Sequence, residues 1–529
     1  MPDGLTASSS GRPIALLLVF ARARATEDTL PGTSVDPALT QTTPPPSLEG
    51  RRSAIRRTLA EVFGLTDFRP GHRDVIEAVL AGRDALAVMP TGAGNSLCYQ
   101  IPALHLPRTT VVVSPSIALI ADQTSRLGGM ALDVSQIDSS RFTREPEAAI
   151  DDIRHDRLEF VLTTPERLND PEFVEVLRRV EVDLVVIDEA HCISQWGHDF
   201  RPAYLGLGGA VEALGHPPVL ALTATATART KADIAKRLGL RDPVLVTHDT
   251  YRANLVYQVR HVPTDADKLA ALVPLVEEAG GPTLVYASTI RTAELVSRRL
   301  TELGADVELY HGRLSARARE RAQDRFMAGE ARVMVATNAF GMGIDKPDVR
   351  MVVHFNMPGS LDAYYQESGR AGRDGERARC VLLYAPSDRR THQFFMRRSY
   401  LPPPVVLAVA RSLESSPSLA LQALASQAGV SVRRAEAVVA ALADAGAIRR
   451  LRDGRVAGVS RHVVARAEQL VSTYADLQIA ARQKLDQMII YSQTAMCRWR
   501  KLLNYFDGEA TLEACGHCDR CEAAAIQSA

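Results

Sequence analysis

Short apolar runs separated by segments of helical length recur along most of the chain. Before residue 245, five runs are rich in β-branched residues and end in polar ones: DALAVM, TTVVVSP, LEFVLTT, DLVVIDE and PVLALTAT. The same texture returns in PTLVYAS, ADVELYH, RVMVATN, RMVVHF and RCVLLYA. Apolar strands that alternate with helices are typical of parallel sheets buried on both faces. The pattern predicts two tandem α/β domains, at residues 51–245 and 246–395.

Beyond residue 395 the chain changes to alanine-rich helices. One stretch reads as a helix, a turn at Gly429, a second helix that stops at Gly446, and a hairpin at Asp453 and Gly454. That order predicts a winged helix at residues 396–462. Arginines cluster on its second helix and hairpin: Arg433, Arg434, Arg449, Arg450, Arg452 and Arg455. Their charge favours binding to duplex phosphates, and a protein-contact surface is the alternative.

Residues 1–50 differ in composition from the rest. Threonine, serine and proline dominate from Thr26 to Gly50, so we expect a disordered leader or an over-extended start. The run PIALLLVFARARA is too short to span a bilayer and is followed by arginine, which argues against a signal peptide and a membrane partner.

Charge and cysteine content narrow the function classes. Acidic and basic residues balance at 62 each in 529 residues, so only local patches can indicate a nucleic-acid partner. Six of the basic residues are lysines, and none precedes Lys231. Four of the seven cysteines crowd the C-terminal end, which predicts a metal site in a reducing, cytoplasmic compartment rather than a disulfide framework.

The stretch AVMPTGAGNSLCYQIPAL reads as a strand, a glycine-rich turn and a helix, an arrangement that cradles the phosphates of a nucleotide. In the pattern G-x-x-x-x-G-K-[ST] a lysine precedes the final hydroxyl residue, but Asn95 precedes Ser96 here. No lysine occurs in the first 230 residues, so none from that part of the chain can replace it at the phosphates. The predicted phosphate-binding residues are Thr91, Gly92, Ala93, Gly94, Asn95 and Ser96.

Two further motifs can complete a site for nucleotide hydrolysis. VVIDEAH puts Asp188 and Glu189 at a strand end, where aspartate and Ser96 can hold magnesium and glutamate can orient a hydrolytic water. YYQESGRAGRDG puts Arg370 and Arg373 three residues apart, as expected of arginine fingers that reach the γ-phosphate across an interdomain cleft. Surface acids and a solvated basic turn are the alternatives.

The C-terminal cysteines have the spacing of a zinc site. Three thiols at two-residue spacing and one on a preceding helix suit tetrahedral zinc with no open position, hence a structural metal in a helical module at residues 463–529. His517 is an alternative ligand. The predicted ligands are Cys497, Cys515, Cys518 and Cys521.

Together these motifs resemble the motor core of a RecQ DNA helicase over residues 52–395. The resemblance rests on FGLTDFRPGH, the phosphate loop, VVVSPSIALIADQ, TTPERL, DEAHCISQWGHDFRPAY, LTATAT, ATNAFGMGIDKPDVR and QESGRAGRDG, of which HCISQWGHDFRPAY is the most specific. The helices before the zinc cysteines also resemble those of RecQ. The order differs, because the commonest family layout puts zinc before the winged helix.

The resemblance implies two RecA-like domains in a 3′-to-5′ DNA helicase of recombination and repair that uses ATP, Mg²⁺ and Zn²⁺ on single-stranded, forked or junction DNA. It assigns nucleotide contacts to Arg69, His72 and Asp345, and a catalytic role to Gln366. DNA contacts fall on Ser114, Thr164, Trp196, Phe200 and Arg201. The aromatic members can stack on any base while the arginine binds a phosphate.

Two departures from the family lie at the nucleotide. His72 replaces the adenine-reading glutamine, and imidazole cannot offer the amide's paired donor and acceptor to a purine edge. Asn95 removes a preorganised cation, a change that costs about 10²- to 10³-fold in rate. The sequence predicts a helicase with impaired hydrolysis. The alternative is an ATPase-deficient RecQ-like protein that binds forked or single-stranded DNA without unwinding it.

Overall fold

The computed structural model describes residues 48–528, apart from 91, 93, 116, 131, 133, 138–158, 195–199, 248–249, 342–345, 400, 452, 460–461 and 509. Contacts divide the chain into residues 1–54 and 55–529. In the first of these, residues 48–54 are helical. Every site described below lies in the second.

Seven parallel strands form the first sheet, in the order β3-β4-β2-β5-β6-β1-β7. The strands are β1 Ala85–Val88, β2 Thr109–Val113, β3 Val134–Ile137, β4 Phe160–Thr163, β5 Val182–Ile187, β6 Val219–Thr223 and β7 Val244–Thr247. Apolar clusters cover both faces, which explains why the central strands read as continuous apolar runs. The five predicted strands are present, whereas the edge strands β3 and β7 were not predicted.

Helices flank these strands. They are α1 Leu48–Glu61, α2 His72–Leu80, α3 Leu97–His105, α4 Ile117–Gly129, α5 Pro165–Leu168, α6 Pro171–Arg179, α7 Leu207–Ala213 and α8 Ala228–Leu238. Two single 3₁₀ turns, Ala190–Ile193 and Pro202–Gly206, follow β5.

The second sheet has six parallel strands in the order β10-β11-β9-β12-β13-β8. The strands are β8 Leu255–His261, β9 Thr283–Tyr286, β10 Val307–Tyr310, β11 Val333–Ala336, β12 Met351–His354 and β13 Ala378–Tyr384. Its helices are α9 Asp265–Glu278, α10 Ile290–Glu302, α11 Ala316–Met327, α12 Leu361–Ser368 and α13 Asp388–Ser399. Two parallel sheets in tandem confirm the predicted α/β class, although β8 was not predicted.

The C-terminal part is helical with one antiparallel pair of strands. Gly429 and Gly446 have φ angles of 64° and 65°, the left-handed conformation in which helices commonly end. The elements are α14 Pro403–Glu414, α15 Leu421–Gln427, α16 Val432–Asp444, β14 Ile448–Arg450, β15 Val456–Gly458, α17 Val463–Gln493, α18 Arg498–Phe506 and α19 Asp519–Ser528.

Helix α17 joins this part to the second sheet. It has 31 residues and is therefore roughly 46 Å long. Val463 and Ala467, near its start, lie in one core with α14 and the β14–β15 pair. Leu485, Met488 and Tyr491, near its end, lie in the core of the second sheet. Among the described helices, none is long and apolar enough to cross a bilayer.

Candidate functional site

The phosphate loop lies between β1 and α3, at the carboxyl edge of the first sheet. Gly92 and Gly94 have φ angles of 82° and 85°, which a side chain would strain. Ser96 lies at the start of α3, where unpaired backbone amides favour an anion. The described part of the loop therefore has the backbone of a phosphate cradle.

Asn95 occupies the position where the pattern has lysine. Its Nδ2 donates to the carbonyl of Met89 at 3.3 Å, so the amide group points back toward the end of β1. Its Oδ1 is buried and has no hydrogen-bond partner among the described residues. A neutral side chain thus lies where the pattern supplies a cation.

The predicted acids follow β5, two strands from β1 in the sheet order. The carboxylate of Asp188 accepts a hydrogen bond from the backbone amide of Glu189 at 2.9 Å. Burial raises the pKa of Asp188 to about 6. Glu189 has a φ of 49°, an uncommon conformation for a residue with a side chain, and such strain clusters at functional sites.

A buried histidine connects these acids to the LTATAT motif. His191 Nδ1 lies 3.3 Å from Glu189 Oε2 and 2.9 Å from Thr223 Oγ1. The hydroxyl of Thr223 also donates to the carbonyl of Thr225 at 3.1 Å. The first threonine of the motif therefore belongs to the network that orients the acid.

A cleft of about 540 Å³ brings the predicted nucleotide residues of both domains together. Arg373 crosses it, since a methyl group added at Gly92 would lie 2.9 Å from Arg373 Cδ. The predicted residues that line the cleft are Arg69, His72, Gly92, Gly94, Asn95, Ser96, Asp188, Glu189, Gln366, Arg370 and Arg373.

Further charged residues line the same cleft and were not predicted. Arg126 on α4 lies outside the motifs, and Asp67 before α2 lies within FGLTDFRPGH but was not singled out. Arg69 donates a hydrogen bond to the carbonyl of Gly92 and so holds the phosphate loop within the first domain. His72 is 1% exposed, and a methyl group at Gly94 would lie 3.5 Å from its Cε1.

The donor set fits a magnesium nucleotide. Ser96 and Asp188 both line the cleft and offer the oxygen ligands that magnesium prefers. The left-handed glycines, the start of α3 and the arginines offer donors to phosphates. Magnesium, when bound, supplies charge that neutralises the phosphates.

Residues predicted to contact DNA lie in several places. Phe200 lines a second cleft of about 580 Å³ together with Tyr474 and Lys484 of α17. Burial lowers the pKa of Lys484, which was not predicted, to about 8. Arg201 donates from Nη1 to the carbonyl of Pro115 at 2.6 Å. Arg433 and Arg450 are exposed.

Two predicted DNA contacts are buried. Ser114 and Thr164 follow β2 and β4 at the carboxyl edge and are 0% and 4% exposed. Thr164 caps α5 by accepting a hydrogen bond from the Arg167 amide.

Some predictions lie outside the described residues: Thr91, Ala93, Trp196, Asp345, Arg452 and, within the leader, residues 1–47.

The predicted zinc cysteines converge near α18. Their four Sγ atoms lie within 4.8 Å of one another, with 3.5 Å from Cys518 to Cys521 and 3.9 Å from Cys518 to Cys497. A tetrahedral zinc with bonds of about 2.3 Å separates its sulfurs by about 3.8 Å, so the cluster fits Zn²⁺. The amide of Cys515 donates to Cys497 Sγ at 3.3 Å, and such bonds orient and tune ligands.

His517 lies beside this cluster rather than in it. Its Nδ1 lies 2.7 Å from the carbonyl oxygen of Cys515. The four sulfurs alone form the candidate metal group found among the described residues. The four-thiol prediction is therefore supported over the alternative with His517.

Three families match parts of the chain. The DEAD/DEAH box helicase family matches residues 69–234, and the helicase conserved C-terminal domain matches residues 267–375. The RecQ zinc-binding family matches residues 461–522. The zinc match lies after the elements predicted as a winged helix.

Solved structures with similar folds are helicases. The DUF1998 helicase MrfA bound to DNA has a TM-score of 0.53 at 18% identity, over 78% of this chain and 63% of that chain. Mycobacterium smegmatis helicase Lhr bound to ssDNA and AMP-PNP has a TM-score of 0.52 at 23% identity, over 80% and 62%. These likenesses support the helicase fold.

Curated relatives give the family. The probable ATP-dependent DNA helicase RecS of Bacillus subtilis is 39% identical over 363 residues, 68% of this chain and 73% of that protein. The RecQ helicase of Pasteurella multocida is 40% identical over 330 residues, 62% of this chain and 52% of that protein. The chain thus spans about half the length of this RecQ relative. With the matched zinc-binding family, these similarities show that the chain belongs to the RecQ family of ATP-dependent DNA helicases.

Proposed function

We propose that this chain binds magnesium ATP and DNA, moves 3′ to 5′ along DNA in recombination and repair, and hydrolyses ATP slowly because of Asn95. The observation that carries the proposal is a cleft lined by nucleotide-site residues of both domains in which a neutral amide replaces the loop cation. The family relationship supports the direction of movement and the DNA substrate.

The residues of the cleft divide into those that bind and those that act on the nucleotide. Ser96 and Asp188 would hold magnesium, and Glu189 would orient the attacking water. Arg370, Arg373 and Gln366 approach from the second domain and line the same cleft. Closure of the two domains would therefore complete the catalytic set.

The loss of the lysine affects hydrolysis more than binding. Bond cleavage shifts negative charge among the phosphate oxygens, and a preorganised cation stabilises that charge without reorganisation. The amides of Gly94 and Ser96 remain available for binding. Arg373 lies over Gly92 and is the cation best placed to approach the phosphates, but its planar guanidinium is not equivalent to an ammonium point charge.

DNA binding is proposed at two surfaces. Phe200, in the motif that couples DNA to hydrolysis in the family, lines the cleft that α17 shares with the second domain. Helices α15 and α16 and the β14–β15 pair have the order of a winged helix. Exposed Arg433 and Arg450 give it a basic face in a chain with no net charge. These arginines would bind duplex phosphates.

The second candidate is a RecQ-like protein that holds forked DNA without unwinding it. Asn95 is the observation that favours it, because hydrolysis slower than the rate that movement requires would leave DNA bound and not unwound.

Strand displacement tests the function directly. A partial duplex with only a 3′ single-stranded tail and one with only a 5′ tail are each mixed with the protein and MgATP. Unwinding of the 3′-tailed duplex alone, slow in this chain and faster in Asn95→Lys, supports the helicase. Binding without displacement in this chain, with displacement restored in Asn95→Lys, supports the second candidate, and 5′-tail displacement contradicts the proposed direction.

A further inference from the structure

Residues 250–254 lie just before β8. They contact both the loop that carries Arg370 and Arg373, residues 369–376, which we call the arginine-finger loop, and the helical zinc-binding module at residues 463–529, the zinc module. No sequence motif marks them as functional. Arg252 is the central residue, and its guanidinium is turned toward the loop that joins Arg370 to Arg373.

Arg252 holds three carbonyl groups of this loop. Its Nη1 donates to Gly369 at 2.9 Å, and its Nη2 donates to Ala371 at 2.9 Å and to Gly372 at 2.6 Å. The planar guanidinium presents its donors in a fixed fork, so it fixes both sides of Arg370 at once. The backbone that carries this finger is therefore held by a side chain.

Asn254 holds the same loop, and we call Arg252 and Asn254 together the clamp. Its Nδ2 donates to the carbonyl of Gly372 at 2.8 Å and to that of Glu376 at 2.9 Å. Gly372 has a φ of 56°, and a methyl group there would lie 2.6 Å from Asn254 Nδ2. Glycine is thus required both for the turn and for the approach of the clamp.

The same short segment packs on the zinc module. Tyr251 and Trp499 meet edge to face with ring centroids 5.0 Å apart. Thr250 Oγ1 donates to Asp507 at 3.3 Å, and Trp499 Nε1 donates to the carbonyl of Leu255 at 3.0 Å. Contacts therefore flank Arg252 on both sides along the chain.

Helix α18 connects these contacts to the zinc cysteines. Cys497 lies at its N-terminal cap, directly before Arg498 and Trp499. Arg498 is 0% exposed and makes two hydrogen bonds of 2.9 Å to Asp519, which lies between Cys518 and Cys521. The position of Trp499 is thus tied to the folded cysteine cluster.

We propose that Arg252 is a positioning residue through which the zinc module holds the arginine-finger loop in its productive geometry. The inference rests on the proposed function, because that function requires Arg370 and Arg373 at the nucleotide. Arg252 acts on the rate of hydrolysis through the loop backbone. The bonds to Gly369 and Ala371 lie on either side of Arg370, so the binding of ATP, to which the first domain and Arg373 contribute, changes little.

Kinetic measurements separate this role from a purely structural one. Arg252→Ala and Arg252→Lys are compared with Arg332→Ala, which removes a similar grip on the carbonyls of Val276 and Glu277, both at 3.2 Å. DNA-stimulated ATP turnover is measured in this chain and in Asn95→Lys. We expect kcat to fall about tenfold or more in both Arg252 variants, while KM stays within about twofold of its original value. In Arg332→Ala we expect both kcat and KM to stay unchanged.

Amide hydrogen exchange provides a readout that does not depend on activity. In Arg252→Lys, amides 369–376 should exchange faster while those of α18 stay protected, because lysine cannot bridge the same carbonyls. Tyr251→Leu should loosen the same loop from the zinc side. Unchanged exchange in this loop, or a parallel rise in KM and loss of thermal stability, overturns the inference.

The two proposals fail in different ways. If neither this chain nor Asn95→Lys hydrolyses ATP, the proposed function is wrong, and exchange of the finger loop still decides whether Arg252 clamps it. If both hydrolyse ATP and Arg252→Ala matches Arg332→Ala, the function stands and the positioning role is wrong.

Discussion

The zinc module keeps all four of its predicted ligands, with their Sγ atoms within 4.8 Å of one another, whereas the nucleotide cleft has replaced a cation with Asn95. The two sites differ in what holds them together. Zinc ligands supply folding energy as well as binding energy, so losing one thiolate removes structure. The phosphate loop is held by β1, α3 and Arg69, and none of these depends on a lysine.

Under the proposed function, the nucleotide site retains its shape while its chemistry changes. The lysine of the pattern contributes most where charge shifts during bond cleavage. Its loss therefore leaves the fold, the left-handed glycines and the acids in place. A metal centre cannot change gradually in this way, because it needs a full set of ligands.

Cys518→Ser should produce the largest effect and would sharpen the contrast. Apparent binding energies of structural zinc are about 10–16 kcal/mol, and in this module they are also folding energy. We expect loss of bound zinc by elemental analysis and unfolding of α18 and α19 at lower temperature. Cys98→Ala, which removes a buried thiol outside the cluster, should keep its zinc. Absence of zinc from the unaltered protein would contradict the four-thiol site.

Arg373→Ala should have the next largest effect, on binding of MgATP. Because Arg373 lies over Gly92 and the loop has no cation, its removal should weaken binding about tenfold, the value of one charge-assisted hydrogen bond. The loss should be smaller in an Asn95→Lys background. Titration calorimetry of the single and double variants measures this coupling. Equal losses in both backgrounds would mean that Arg373 does not compensate for the missing lysine.

Arg433→Ala combined with Arg450→Ala should have the smallest effect, a reduction in fork-DNA affinity of a few-fold. Each lost phosphate contact lowers the slope of log affinity against log salt by about 0.9. Arg178→Ala, at an exposed arginine paired with Glu175, serves as a control. Fluorescence anisotropy at several salt concentrations measures the slope. An unchanged slope would assign the basic face to a protein partner and leave the cleft and the zinc module unaffected.

The sequence predicted features that depend on local patterns. The apolar runs gave the central strands, and motif spacing brought Asp188 and Glu189 to the cleft and four cysteines to one cluster. The edge strand β3, VSQI, has only two apolar residues, and β7, VLVT, is a run of four residues at the expected domain boundary near residue 245.

Local sequence patterns do not predict contacts between residues that are far apart in the chain. Arg252 and Gly369 are 117 positions apart, and nothing near Arg252 indicates that its partners are carbonyls of the finger loop. Lys484 became a candidate only because α17 carries it to the cleft that Phe200 lines. Long-range packing, rather than local propensity, determines these sites.

The most direct test of the account is DNA-stimulated ATP turnover of this chain beside Asn95→Lys, at saturating MgATP and single-stranded DNA. We predict that the unaltered chain turns over at least about 10²-fold more slowly, with equal zinc content in the two proteins. Asn95→Gln, which lengthens the amide without adding charge, should not restore the rate. Equal turnover in the unaltered chain and Asn95→Lys would contradict the account, because another cation would then already do the work of the missing lysine.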